Sequence, residues 1–168
     1  SEVAGYMRDR RKPRHLRTSD LRLAYVSQQQ LKGFNLPYQL GHSDIEEHSG
    51  TFETPADADT ASIPVVAGDI VLLATDGLFD NVDLDEIVVE VGAWEQKWFP
   101  AGRDESADPA HEANAVQDLS LTLCQKAREF SLDHFRDSPF AVLAKENDIM
   151  WSGGMPDDTT VKRERERE

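Results

Sequence analysis

The chain has 168 residues, enough for one ordinary domain and too few for two of typical size. Hydrophobic residues make up 39% of it and charged residues 30%, which is typical of a folded core and excludes a wholly disordered chain. The formal net charge of −14 argues against nucleic-acid binding through phosphate neutralisation, and no apolar run is long enough for a membrane helix, so we expect neither partner.

Residues 1–18 form a polar, basic segment with little sign of a core-facing pattern. The run from Arg8 to Arg17 predicts a solvated arm, with a docking patch for an anionic partner as the alternative. The chain opens with Ser1 and shows no apolar signal region, so we expect the natural N-terminus to lie upstream. The compartment is therefore left open.

The next forty residues predict one strand followed by irregular chain. Leu21, Leu23 and Tyr25 alternate as in a half-buried strand. Residues 28–40 contain glycine, asparagine and proline between apolar groups and predict an ordered loop. The acidic stretch 41–60 lacks a compact ligand spacing, so it is interpreted as an exposed connection rather than a cation site.

Regular structure is predicted after residue 60. Ile63–Val66 resembles a short strand, and the apolar run 69–75 predicts a strand buried on both faces. Asp83 with Glu86 predicts a capping box that opens a helix. Further helices are predicted to begin at Asp108-Pro109 and at Ser138. The apolar stripes of the two longer helices are Leu84, Ile87, Val88, Val91, Trp94 and Trp98, then Val116, Leu119, Leu123, Ala127 and Phe130.

The C-terminal end is predicted to begin a strand at residues 159–161 and then to lose its order. Residues 162–168 read KRERERE, a charged tract with nothing apolar to bury, so we expect a frayed end. Cys124 lies within the second apolar stripe and is interpreted as a small buried hydrophobe rather than a reactive thiol.

Two acidic segments have the features that metal sites favour. Asp76 follows the buried strand and precedes Gly77, which lets the backbone turn sharply and leaves the carboxylate at the end of a sheet. Asp157 and Asp158 are adjacent carboxylates, which are costly to place together unless solvent or a cation screens them. Read singly, each segment is also compatible with a plain exposed turn.

Together these segments resemble the PPM (type 2C) family of metal-dependent serine/threonine protein phosphatases. GDIVLLATDGLFDNV at 68–82 is similar to its strand-plus-DG motif, and GGMPDDTTV at 153–161 to its terminal motif. Weaker matches lie at 34–41, around 121–123 and at 138–148, and they are similar to the organellar T-cell-activation-type branch. The resemblance runs in order from Leu21 to Val161, so residues 19–161 are interpreted as a partial phosphatase domain between the basic segment and the charged tail.

The resemblance implies an α+β fold, the four-layer αββα sandwich of this family, of which the chain would hold the C-terminal part. It implies two Mn²⁺ or Mg²⁺ ions that activate a water to hydrolyse phosphoserine or phosphothreonine in a protein substrate. By motif match, Asp76 and Asp157 correspond to metal ligands, and Gly77 to a residue that permits close approach. Asp158 corresponds to a neighbour that orients either the ligands or a water. Asp80 is expected to support the loop. We also expect a monomer. The compartment stays open, and mitochondria or plastids are the locations that the branch resemblance suggests.

The departures from the family pattern concern the rest of the site. The family's first-half motifs supply further carboxylates and a phosphate-binding arginine, and no counterpart is found here. Two ligands are too few for a two-metal cluster, so we expect the isolated chain to be inactive. The alternative function is a catalytically inactive, phosphatase-like interaction module. A calcium-binding domain is disfavoured because no EF-hand loop pattern occurs.

Overall fold

The computed structural model describes residues 2–8, 21–41, 52–66, 69–100 and 109–165. The chain divides into a larger unit, residues 1–27 and 65–168, and a smaller unit, residues 28–64. Most of the basic run, half of the acidic stretch, Asp108 and the last three residues lie outside the described residues. Within the described ranges, no helix is both long and apolar enough to cross a membrane.

The elements follow one another in a mixed order of strands and helices. In chain order they are β1 (Glu2–Arg8), β2 (Leu21–Val26), β3 (Leu31–Gly33), β4 (Leu36–Pro37), a 3₁₀ turn (Pro55–Asp57), β5 (Ile70–Ala74), α1 (Asp76–Phe79), α2 (Leu84–Trp98), α3 (Pro109–Ser131), α4 (Pro139–Glu146) and β6 (Val161–Arg165).

The larger unit is built on a four-stranded antiparallel sheet with the strand order β2-β1-β5-β6. Two of these strands correct the sequence interpretation. Residues 2–8, interpreted as part of a basic segment without a core pattern, form a strand between β2 and β5. Residues 162–165, predicted to be frayed, continue β6 along β5. Ladder hydrogen bonds need only backbone groups, and a charged sequence is tolerated in a strand with one paired side.

The core of the larger unit lies between one face of β5 and the helices. Ile70, Leu72 and Ala74 are buried, while Val71 and Leu73, on the other face, are only half-buried. The prediction of a strand buried on both faces is therefore wrong, because the helices of the described chain cover a single face. The remaining core residues lie in the helices or, for Val82, between α1 and α2; they are Leu78, Phe79, Val82, Ile87, Val91, Trp94, Ala115, Leu119, Leu123 and Ala127.

The three longer helices confirm the sequence signals that predicted them. Asp83 and Glu86 form the capping box of α2, and α3 begins at Pro109. The Ser138 hydroxyl caps α4 by accepting from the Ala141 amide at 3.1 Å. Such caps satisfy amides that have no partner within their own helix, so they fix where each helix starts.

The smaller unit contains a hairpin rather than the loop predicted for residues 28–40. Strands β3 and β4 pair across Phe34 and Asn35, and Asn35 takes a left-handed φ of 51°, which asparagine tolerates well. Residues 63–66, predicted to be a short strand, have no regular structure. A short apolar run does not form a strand without a neighbouring strand to supply hydrogen bonds.

Candidate metal centre

The register of β5 against β6 brings the two acidic segments together. Ala74 pairs with Val161, so Asp76 leaves the sheet beside the point where the chain enters β6. The Thr75 amide extends this pairing by donating to the Thr160 carbonyl at 3.0 Å. Because the strands are antiparallel, the end of one and the start of the other share the same end of the sheet. Residues 75–77 and 157–160, here called the acidic junction, are therefore neighbours.

A threonine hydroxyl ties the two sides of the acidic junction. Thr75 Oγ1 donates to the Asp158 carbonyl at 2.9 Å and accepts from the Thr160 amide at 3.0 Å. The contact holds the backbone on both sides of Thr159 and uses no carboxylate. The side chains of the aspartates therefore remain available for other partners.

Gly77 allows the two backbones to approach closely. A Cβ atom at this position would lie 2.6 Å from the Asp158 carbonyl oxygen and 2.9 Å from Thr159 Oγ1. Real Cβ atoms do not come so near a backbone oxygen, so any larger residue would push the two segments apart. Gly77 also donates its amide to Asp76 Oδ1 at 3.0 Å, which orients that carboxylate.

A buried amide forms a second link between the segments. Asn81 is fully buried, and its Nδ2 donates to the carbonyls of Gly77 and Met155 at 3.0 and 2.8 Å. Its Oδ1 accepts from the Met155 amide at 2.8 Å. A buried amide is stabilising when its groups are paired in this way, and costly when they are not.

The two glycines ahead of the terminal acidic pair lie against the end of α3. The Gly154 amide donates to the Asp133 carbonyl at 2.8 Å, and a Cβ on Gly154 would be 2.1 Å from the Phe130 carbonyl oxygen. Gly153 has a left-handed φ of 87°, and its carbonyl accepts from the Ser138 hydroxyl at 2.7 Å. The GG pair thus fixes the start of the segment that leads to Asp157.

The three carboxylates of the junction are exposed. Asp157 Oδ1 accepts from the Asp158 amide at 2.7 Å, a local bond like that of Asp76. Among the described residues, no lysine, arginine or histidine forms an ion pair with Asp76, Asp157 or Asp158. Three negative side chains thus lie on two joined segments, and within the described ranges none of them forms an ion pair that offsets its charge.

The remaining candidates have supporting roles. Asp80 is half-buried, and its carbonyl accepts from the Phe140 amide at 3.0 Å, which links α1 to α4. Cys124 is half-buried, with Sγ 3.9 Å from the Thr159 carbonyl, and burial raises the pKa of its thiol. A raised pKa keeps the thiol protonated and unreactive at neutral pH.

The donor chemistry of the acidic junction fits a hard divalent cation, because such ions prefer carboxylate and carbonyl oxygens. The described residues supply only part of a coordination sphere. Across the described ranges, no group of three or more His, Cys, Asp or Glu side chains is arranged to hold a metal ion. The junction is therefore an incomplete ligand set on a firmly tied backbone.

Most of the chain is similar in sequence to curated protein phosphatases. "Protein phosphatase PTC7 homolog fig" of Drosophila willistoni is 36% identical over 142 residues, which is 83% of this chain and 41% of that protein. "Protein phosphatase PTC7 homolog" of Homo sapiens is 35% identical over 140 residues, again 83% and 41%. The chain is supported by these matches as a relative of the PPM family of protein phosphatases. It spans about 41% of the length of these relatives.

The fold of the PPM family is also found in a solved structure. The chain superposes on the X-ray structure of the photosystem II phosphatase PBCP with a TM-score of 0.63 at 21% identity, over 99% of this chain and 55% of the other. This likeness confirms the predicted α+β fold as part of the PPM architecture. No protein-family model matches the chain.

The sequence motifs point to the carboxylates but not to Thr75 and Asn81, which join the two segments. Thr75 and Asn81 both lie inside the motif at 68–82, yet neither carries a charge. A signal for Asn81 was available: it is an amide in a mainly apolar stretch, and a buried amide needs partners. Its partner Met155 is 74 positions away, which no local pattern reveals.

Proposed function

We propose that this chain contributes part of the active site of a metal-dependent protein serine/threonine phosphatase. The observation that carries the proposal is the tie between the two acidic segments through Thr75, Gly77 and Asn81. The relation to the PPM family supports the same reaction, the hydrolysis of phosphoserine or phosphothreonine in a protein substrate. We expect the protein to act as a monomer.

Asp76 and Asp157 would hold the cation, which we expect to be Mn²⁺ or Mg²⁺, with two ions in the complete site. When bound, these ions supply an acidified water and offset the negative charge of the phosphate. Asp158 would orient its neighbour, since its amide donates to Asp157 Oδ1. Gly77 would act through its backbone, by orienting Asp76 and by leaving space for residue 158.

The chain's own contribution is to concentrate negative charge at a fixed place. Mutual repulsion of the exposed carboxylates opposes their approach, and a cation between them removes that cost. The backbone links stabilise this approach in the absence of metal. Further ligands are required for the full activity, because the acidic junction supplies too few carboxylates for two ions.

The test is metal-dependent release of phosphate from a phosphothreonine peptide, together with Mn²⁺ binding measured by titration calorimetry. Both measurements would compare the wild-type chain with Asp76→Asn and with Glu146→Gln. The second variant removes an equal charge from an exposed carboxylate on α4, outside the acidic junction.

Binding of Mn²⁺ that is lost in Asp76→Asn and kept in Glu146→Gln is the expected result. Turnover that EDTA abolishes would show that the chain alone assembles a working site. Binding without turnover is the result expected if the metal site needs ligands from elsewhere, or if the chain is the catalytically inactive interaction module. Absence of Mn²⁺ binding by the folded wild-type chain would contradict the proposal.

A further inference from the structure

The links across the acidic junction are placed on either side of the residues that would bind metal. The Asn81 side chain is hydrogen-bonded to the backbone of Met155, two positions before Asp157. The Thr75 hydroxyl is hydrogen-bonded to the backbone of Asp158 and Thr160. On the other strand, Asp76 lies between Thr75 and Gly77, and the Gly77 carbonyl accepts from Asn81. Both acidic segments are therefore fixed before and after their aspartates.

All of these bonds act on backbone atoms. Asn81 has its two donors and its acceptor occupied by carbonyl and amide groups, and it is shielded from solvent. The Thr75 hydroxyl is likewise occupied as both donor and acceptor. Neither side chain is free to coordinate an ion, so any effect on metal binding must pass through the position of the aspartates.

We propose that Asn81 and Thr75 are positioning residues that set the separation between Asp76 and Asp157. The inference rests on the proposed function, since it assumes that these aspartates bind a cation. Ligand positions tied in advance lower the ordering cost of binding, and loss of such supporting contacts weakens metal affinity by about 10–100-fold in known sites.

Asparagine is specifically suited to position 81. Aspartate would place a carboxylate against the Gly77 and Met155 carbonyls, and a hydrophobic side chain would leave those carbonyls and the Met155 amide without their partner. Both changes would loosen the segment that carries Asp157. At position 75, serine keeps the hydroxyl whereas valine keeps the shape and removes both bonds.

The test measures Mn²⁺ affinity by titration calorimetry without substrate, on Asn81→Ala, Thr75→Val and Thr75→Ser. The matched control is Trp94→Phe, which removes a buried bond of 2.6 Å from Nε1 to the Ala115 carbonyl, outside the acidic junction. A urea unfolding curve for each variant reports stability separately. We expect the Kd to rise about tenfold or more in Asn81→Ala and Thr75→Val.

Thr75→Ser should restore the wild-type Kd, and Trp94→Phe should lower stability while its Kd stays within about twofold, because only the junction links act on the aspartates. Saturating Mn²⁺ should still reach the wild-type stoichiometry in Asn81→Ala, since the ligands remain. A changed stoichiometry would overturn a purely positioning role.

Two failures are distinguishable. No Mn²⁺ binding by wild-type protein would overturn the proposed function and this inference together. Wild-type binding with an unchanged Kd in folded Asn81→Ala and Thr75→Val would overturn the inference alone. Should Asn81→Ala fail to fold, the Thr75→Val and Thr75→Ser pair decides, because Thr75 is only half-buried and its loss is better tolerated.

Discussion

Two acidic regions of this chain look alike in sequence and differ in how their carboxylates are used. In the smaller unit, Glu53 pairs with Lys32 at 2.7 Å and accepts from the Gln39 amide at 2.7 Å. Asp57 accepts from both the amide and the hydroxyl of Thr54 at 2.8 Å. At the acidic junction, the one hydrogen bond that Asp76 and Asp157 each accept from the described residues comes from the amide of the following residue.

The difference separates carboxylates that stabilise local structure from carboxylates that are open to a ligand. Glu53 is paired with Lys32, and Asp57 accepts two hydrogen bonds from Thr54 that hold a 3₁₀ turn, so both carboxylates already have partners. The junction aspartates have their backbone fixed by other groups, and no described basic residue forms an ion pair with them. Counting acidic residues does not distinguish the two cases, but their hydrogen-bond partners do.

The largest expected effect is on metal affinity. Asp157→Asn should raise the Kd for Mn²⁺ by about 100-fold or more. Loss of a ligand should weaken binding at least as much as loss of a supporting contact, which costs up to about 100-fold in affinity. Glu53→Gln removes the same charge from the smaller unit and should leave the Kd unchanged. Titration calorimetry of both variants measures the contrast. Equal losses would mean that overall charge, not the junction, attracts the ion.

The next effect concerns Gly154, in the terminal motif, which packs against the end of α3. Gly154→Ala should lower the free energy of unfolding by about 3 kcal/mol, the upper end for overpacking, because its Cβ would meet the Phe130 backbone. Gly33→Ala is the control, since nothing lies within 4 Å of a Cβ there. Urea unfolding checks both. A Gly154→Ala variant as stable as wild type would show that the segment can lie elsewhere.

A smaller effect is expected at Gly77. Gly77→Ala should cost about 1–2 kcal/mol, because the clash with the Asp158 carbonyl is partly offset by the better helix propensity of alanine. Unlike Gly154→Ala, it should weaken Mn²⁺ binding more than it weakens folding. Unfolding curves and metal titrations on the same preparation test this, and an unchanged Kd would contradict it.

The smallest effect is a pH dependence in the smaller unit. The hydrogen bond from Lys32 lowers the pKa of Glu53 below its ordinary 4.5, and the Thr54 bonds lower the pKa of Asp57 below its ordinary 3.8. At pH values above the ordinary pKa values, the hydrogen bonds of Glu53 and Asp57 contribute fully to the stability of the fold. Their contribution is lost as pH falls through the lowered pKa values, because the unfolded chain takes up protons first.

Carboxyl chemical shifts in an NMR titration measure these two pKa values directly. Lys32→Met should return the pKa of Glu53 toward its ordinary value and leave that of Asp57 in place, since Asp57 depends on Thr54. A pKa of Glu53 that does not move in Lys32→Met would show that the ion pair does not form in solution.

Local patterns were sufficient for the three longer helices, α2, α3 and α4. The capping box at Asp83 and Glu86, the proline at 109 and the cap at Ser138 each satisfy groups within a few residues, so their outcome is set locally. The strands were less predictable. The segments 2–8 and 162–165 pair with β5, which is distant from both in sequence. Their own composition therefore did not predict that they form strands.

By itself, the sequence indicated the family, predicted the three longer helices, and predicted a metal site at Asp76, Gly77, Asp157 and Asp158, which stays a prediction. Those conclusions rest on short motifs whose order and spacing are visible in the chain. Only the tertiary structure decided that the two motifs adjoin, through the pairing of Ala74 with Val161 and the bonds of Thr75 and Asn81. Contacts between residues more than seventy positions apart depend on strand register and burial, and neither is a property of a local segment.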